Sequence, residues 1–116
     1  MRFMMIVKNA EDGGESPELN AAMEKLIDRE VKAGRLVDFG GLMPMAQGMQ
    51  VRLAKGKLDV IDGPFVEAKE FVGGYAVFEL ASREEALASA VEFMNLHKDY
   101  GDEWEGICEV RLMATA

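Results

Sequence analysis

Residues 2–7 form an apolar run without the period-two alternation of a half-exposed strand, and the pattern therefore predicts a strand covered on both faces. The run stops at Lys8, far short of the ~20 residues that span a bilayer, and no small-residue cleavage site follows it. After a polar stretch with Gly13-Gly14, Ser16-Pro17 supplies an N-cap and a proline at the first helical position. Leu19, Met23, Leu26, Ile27 and Val31 then recur at spacings of three and four, which predicts a helix with one apolar stripe that Gly34 ends. Strands are predicted at 36–39, 49–53, 58–61 and 74–80, separated by Gly40-Gly41, Pro44 and the turn Lys55-Gly56-Lys57. Ser82 with Glu85 three residues on makes a capping box for a second helix, with Leu87, Ala90, Val91 and Met94 as its stripe. That stripe loses its pattern near Asn95 to His97, where a loop is expected. Residues 107–113 close the chain as an alternating strand, with Cys108, Val110 and Leu112 on one face and Glu109 and Arg111 on the other.

Two helices set apart by strands, each with a single apolar stripe, are best satisfied by an α+β ferredoxin-like sandwich, with both helices on one face of an antiparallel sheet. No repeat, low-complexity run or linker interrupts the 116 residues, so residues 1–116 are read as a single domain. The opposite sheet face would be bare, yet the first strand is too apolar to face water. A second copy stacking its sheet on that face would close an α+β barrel, and a homodimer is expected.

With 49% hydrophobic and 29% charged residues the chain lies outside the disordered range. At this length folding hides about 65% of the unfolded surface, so no disulfide or metal is needed for stability. Thirteen Lys and Arg against 21 Asp and Glu leave a net charge of −8, with no basic patch to draw in nucleic acid. Cys108 has no second cysteine to pair with, which points to a reducing compartment and a cytoplasmic location. The opening strand offers no membrane anchor, and no membrane partner is expected.

The chemistry-bearing stretch is Asp62-Gly63-Pro64-Phe65-Val66-Glu67-Ala68-Lys69-Glu70, followed by Gly73-Gly74-Tyr75. Together with Ala33-Gly34, Leu42-Met43-Pro44, Val51-Arg52, Glu84-Glu85-Ala86 and Glu109-Val110-Arg111, it resembles the YCII-related family that carries the DGPF motif. The resemblance runs from about Ala33 to Arg111. It departs from the family pattern at Leu112, where proline is usual, and in a longer, more acidic segment from Lys98 to Gly106. It implies a ferredoxin-like subunit that dimerises into an α+β barrel around a small-molecule pocket, without choosing a reaction.

Read from the residues, Gly63 before Pro64 is pushed to an extended conformation, and Asp62 either holds the resulting turn or projects into an apolar barrel mouth. In the second case desolvation would suit Asp62 to proton transfer. Glu67, Lys69 and Glu70 are either a solvated charge run or a substrate clamp. Gly73 and Gly74 mark either a strand bulge or a close approach to ligand. A charge on the barrel side needs a partner, so Arg111 is expected to pair with Glu109 or Asp62, and it is a candidate ligand contact. His97 near a helix end caps carbonyls, sits solvated, or takes part in catalysis. One His and one Cys make no soft metal site, and neither phosphate-loop nor dinucleotide fingerprints occur, so no cofactor and no metal are expected. Met43, Met45 and Met49 fill core gaps or line a plastic pocket.

The resulting expectation is a pocket for a small anionic or carbonyl-bearing molecule and metal-free acid–base chemistry. Asp62 would be catalytic, and Lys69, Glu70, Gly73 and Arg111 would contact the substrate. The alternative is a non-catalytic ligand-sensing or regulatory partner.

Overall fold

The computed structural model describes residues 1–9, 15–63 and 71–114. The elements are β1 (Arg2–Asn9), α1 (Pro17–Lys32), β2 (Leu36–Gly41), β3 (Met49–Ala54), β4 (Lys57–Asp62), β5 (Phe71–Glu79), α2 (Arg83–Tyr100) and β6 (Gly106–Leu112), with a 3₁₀ turn at Met45–Gln47. Four strands form an antiparallel sheet in the order β2-β5-β1-β6, and β3 and β4 pair only with each other. With the β3–β4 hairpin set aside, the chain reads βαββαβ with the two middle-sheet strands β1 and β5 flanked by β2 and β6, the ferredoxin-like order.

Both helices cover the same sheet face. Phe3, Met5, Leu36, Phe78 and Leu80 meet Ala86 and Ala90 of α2, and Ile27, Cys108 and Val110 pack against them. The single-carbon side chains of Ala86 and Ala90 let α2 lie close on the sheet; Ala86 is fully buried. Glu109 and Arg111 alternate onto the helix-free face, as expected. That face also carries Met4, Ile6 and Val77, so β1 is apolar on both sides; no helix lies over the second side, where Val77 is buried and Met4 and Ile6 are half-buried, and the sheet stays open.

Both helix starts follow the caps read from the sequence. Ser16 is extended and its Oγ accepts the Leu19 N–H at 3.0 Å, with Pro17 next. Ser82 Oγ accepts the Glu85 N–H at 3.2 Å, while the Glu85 carboxylate takes the Ala81 N–H at 2.9 Å. Gly34 at φ +75° follows the end of α1.

The stripes differ from the expectation. In α1 the buried positions run Leu19, Leu26, Glu30, and Val31 is exposed. In α2 they run Ala86, Ala90, His97, and Leu87 and Val91 face outward. The predicted stripes ran through apolar residues alone, whereas both helices turn a titratable residue inward: Glu30, next to the outward Val31, and His97, one turn past Met94. For the same reason α2 does not end near Asn95 but continues to Tyr100, because His97 packs inward between Phe93 and Trp104.

The hairpin closes with Lys55 and Gly56 both at positive φ, the geometry of a two-residue type I′ turn. Val51 faces Val60 and Leu53 faces Leu58 on one side, while Arg52 faces Asp59 on the other. Met49, Val51, Leu53, Leu58 and Val60 are each 63–70% exposed. The radius of gyration, 16.0 Å, exceeds the ~13 Å of a compact chain this long, as a protruding arm requires.

Candidate functional site

A cavity of about 470 Å³ lies between the helix layer and the sheet. Its floor is the helix-side face of β1 and β5, through Met5, Val7, Ala76 and Phe78. Its roof is α1 and α2, through Met23, Leu26, Glu30, Ser89, Phe93 and His97. Trp104 and Cys108 close one end, and Leu42 to Met45 with Phe71 to Gly74 border the other. Mostly apolar walls with a few converging polar groups are the usual build of a small-molecule site.

Glu30 and His97 enter this layer because of helical geometry: Leu19-Met23-Leu26-Glu30 and Ala86-Ala90-Phe93-His97 share the spacing 0, 4, 7, 11, which stays on one helix face. Glu30 is 4% exposed and compensated. Arg35 Nε donates to both its oxygens at 3.2 Å, Arg35 Nη2 also donates to it, and Arg29 Nε adds a bond at 3.3 Å. Arg35 holds the Glu30 carboxyl below the usual carboxylate range, overcoming the opposite effect of burial. Arg29 reaches on to Glu92 at 2.8 Å, joining α1 to α2.

His97 is 7% exposed, with the rings of Phe93 and Trp104 each centred 4.4 Å away. Its Nδ1 lies 2.9 Å from the Phe93 carbonyl oxygen. A carbonyl only accepts, so Nδ1 carries the proton, and in the neutral ring Nε2 keeps a lone pair. Burial alone pushes the Cys108 thiol up, which keeps it protonated and a poor nucleophile at neutral pH.

Of the residues expected to be catalytic or to contact substrate, only Gly73 borders the cavity among the described residues; Gly74, His97, Met43 and Met45, singled out on other grounds, border it too. Gly73 is the extra residue of a β-bulge, since Val7 pairs with Gly74 and Lys8 with Val72. A Cβ there would sit 2.5 Å from Asn9 Oδ1, so glycine makes room for that side chain. Arg111 lies on the helix-free face, 69% exposed in its side chain, and pairs with Glu109 at 3.1 Å; Lys8 holds the other Glu109 oxygen at 2.9 Å. These two cations, Lys8 foremost, keep Glu109 below the ordinary carboxylate range.

Asp62 ends β4 on the arm, exposed, and its carboxylate accepts no hydrogen bond among the described residues. Next to it the Gly63 N–H donates to the Gly48 carbonyl at 2.9 Å, and the rest of the expected Asp-Gly-Pro turn, from Pro64 onward, lies outside the described residues. A Cβ on Gly63 would fall 1.8 Å from the Met45 carbonyl oxygen, so glycine is obligatory there. Lys69 and Glu70 lie outside the described residues. Asp62, Gly73 and Arg111 are therefore not gathered into one site within a single chain: the cavity sits on the helix side, and the pair on β6 faces the other way. Sequence reading left His97 open between a cap, a solvated side chain and catalysis; the signal that turns it inward was its 0, 4, 7, 11 register with Ala86, Ala90 and Phe93.

Among the described residues no three His, Cys, Asp or Glu side chains gather to hold a metal ion, and no helix is long and apolar enough to cross a membrane.

The sheet order and helix-side cavity define a ferredoxin-like α+β protein with room for a small ligand. The model of the YCII-related domain matches residues 1–98, and the chain belongs to that family. It is also 32% identical over 84 residues to an uncharacterised protein of Rhizobium meliloti (strain 1021), a match covering 72% of this chain and 64% of that relative's length.

Proposed function

We propose that this protein binds a small organic molecule in the helix-side cavity and acts on it by metal-free acid–base chemistry, as one half of a homodimer. The observation that carries the reading is the 470 Å³ cavity with apolar walls, into which few polar side chains open. No Lys or Arg borders it among the described residues, which favours a carbonyl-bearing molecule over an anionic one.

The dimer is supported by the exposed apolar side of the arm and by the helix-free sheet face, where Met4 and Ile6 are half-buried with no helix over them. Within one chain Asp62 and Arg111 stand off the cavity, so in this reading the acid–base step needs a second copy to bring its own Asp62 to the cavity mouth as the proton carrier, with Arg111 or Lys69 steadying negative charge and Glu70 beside them. The test is mass spectrometry of molecules extracted from the purified protein, repeated on Ser89→Trp, which fills the cavity. A molecule lost on filling supports the reading; the same molecules retained by the filled variant overturn it. Once a substrate is known, Asp62→Asn should slow its turnover by at least tenfold, about 1.4 kcal/mol of barrier, and turnover within about twofold removes Asp62 from the chemistry.

A further inference from the structure

Resting on the cavity reading, we infer that His97 selects the ligand: its Nε2 accepts a hydrogen bond from the hydroxyl of a neutral, aromatic molecule of the phenol or enol type. Three observations converge on this.

The first is the tautomer. The Phe93 carbonyl fixes the proton on Nδ1, so the neutral ring presents Nε2 as a pure acceptor. No buried side-chain nitrogen or oxygen among the described residues is left without a partner, and Nε2 makes no bond to any described residue. On a residue this buried, an unbonded Nε2 has to open on accessible space, and the space His97 borders is the cavity.

The second is orientation. Phe93 and Trp104 flank the imidazole at interplanar angles of 44° and 53°, which fixes the ring without help from a ligand. The acceptor is therefore in place before anything binds, and binding does not have to order it.

The third is the charge and shape of the surroundings. Among the described residues the titratable ones bordering the cavity are Glu15, Glu30, Tyr75, Cys108 and His97 itself; the Glu30 charge is already matched by Arg35 and Arg29. A ligand carboxylate would meet two acidic side chains and no cation there among the described residues, whereas a neutral ring would meet Phe39, Phe71, Phe93 and Trp104.

Phenol, anisole and benzoate separate these features, since anisole keeps the ring and loses the donor while benzoate adds a negative charge. The chain has one His and one Trp, so the His97 ring nitrogens and the Trp104 indole N–H are unambiguous NMR reporters in the full-length labelled protein. Phenol should shift both signals and bind about tenfold more tightly than anisole, the worth of one net hydrogen bond, and benzoate should leave both in place. In His97→Phe, which keeps the ring stack, phenol should fall to the level of anisole while anisole binding persists.

Equal binding of phenol and anisole by the wild-type protein overturns the role of Nε2 and leaves the cavity reading standing. Benzoate binding more tightly than phenol overturns the choice of a neutral ligand. Failure of both neutral probes to move either signal overturns the cavity reading itself. Should His97→Phe not fold, the wild-type His97 Nε2 signal still decides: an upfield move with phenol and none with anisole supports the inference, and identical moves overturn it.

Discussion

Glu30 carries its carboxylate into the layer between helix and sheet, and it is tolerated there because two guanidinium groups meet it. Its pKa is lowered in the folded chain, so its stabilising contribution is complete above the unfolded value of about 4.3 and is lost as pH falls through the lower folded value. Glu109 behaves in the same sense through Lys8 and Arg111. Urea unfolding across pH 2–6 should therefore show stability falling on the acid side, and Glu30→Gln should flatten that fall while Glu109 maintains the remainder. At fully buried Ala86 there is no room to grow: Ala86→Leu should lower stability by about 1–3 kcal/mol, read from the urea midpoint. Neither Glu30 nor His97 was legible as an inward residue from apolar periodicity alone, because a stripe read only through hydrophobic residues passes over a paired or stacked polar one. Val31 and Val91 were then drawn into stripes that the folded helices turn outward.

At the scale of the element, the helix starts were fully legible, since a cap is a local bargain between one side-chain oxygen and one backbone N–H. Ser82→Ala should cost about 1 kcal/mol in thermal or urea unfolding. The outward face of α2 gives the opposite expectation: Leu87→Gln and Val91→Gln should each change stability by less than about 0.5 kcal/mol, and a larger loss would place these side chains in a core. The end of α2 was not legible, because what prolongs it past Asn95 is tertiary: His97 is gripped by Trp104, seven residues further along the chain. The bulge at Gly73 was read correctly as one of two alternatives, and the register between β1 and β5 decides for it, with the cavity immediately beside.

For the whole molecule, strand order followed from the alternation of helices and strands, but the location of the site did not. Facing alternation correctly put Glu109 and Arg111 on the helix-free side, and a barrel interior was then inferred there; the enclosed space within one chain is on the other side, where side-chain volumes rather than periodicity determine what is left empty. If the apolar side of the arm is held by a second copy, Val51→Lys with Leu53→Lys should convert a dimer to monomers in sedimentation experiments, and an unchanged sedimentation coefficient would show that the arm takes no part in assembly. The neck of that arm is closed by the bond from Gly63 to Gly48, so its two ends enter and leave at nearly one point. A chain in which a short turn replaces residues 49–62 would thus retain all four strands of the main sheet and every described wall of the cavity. If the proposed self-association resides in the hairpin, deleting that one segment separates it from the proposed ligand capture.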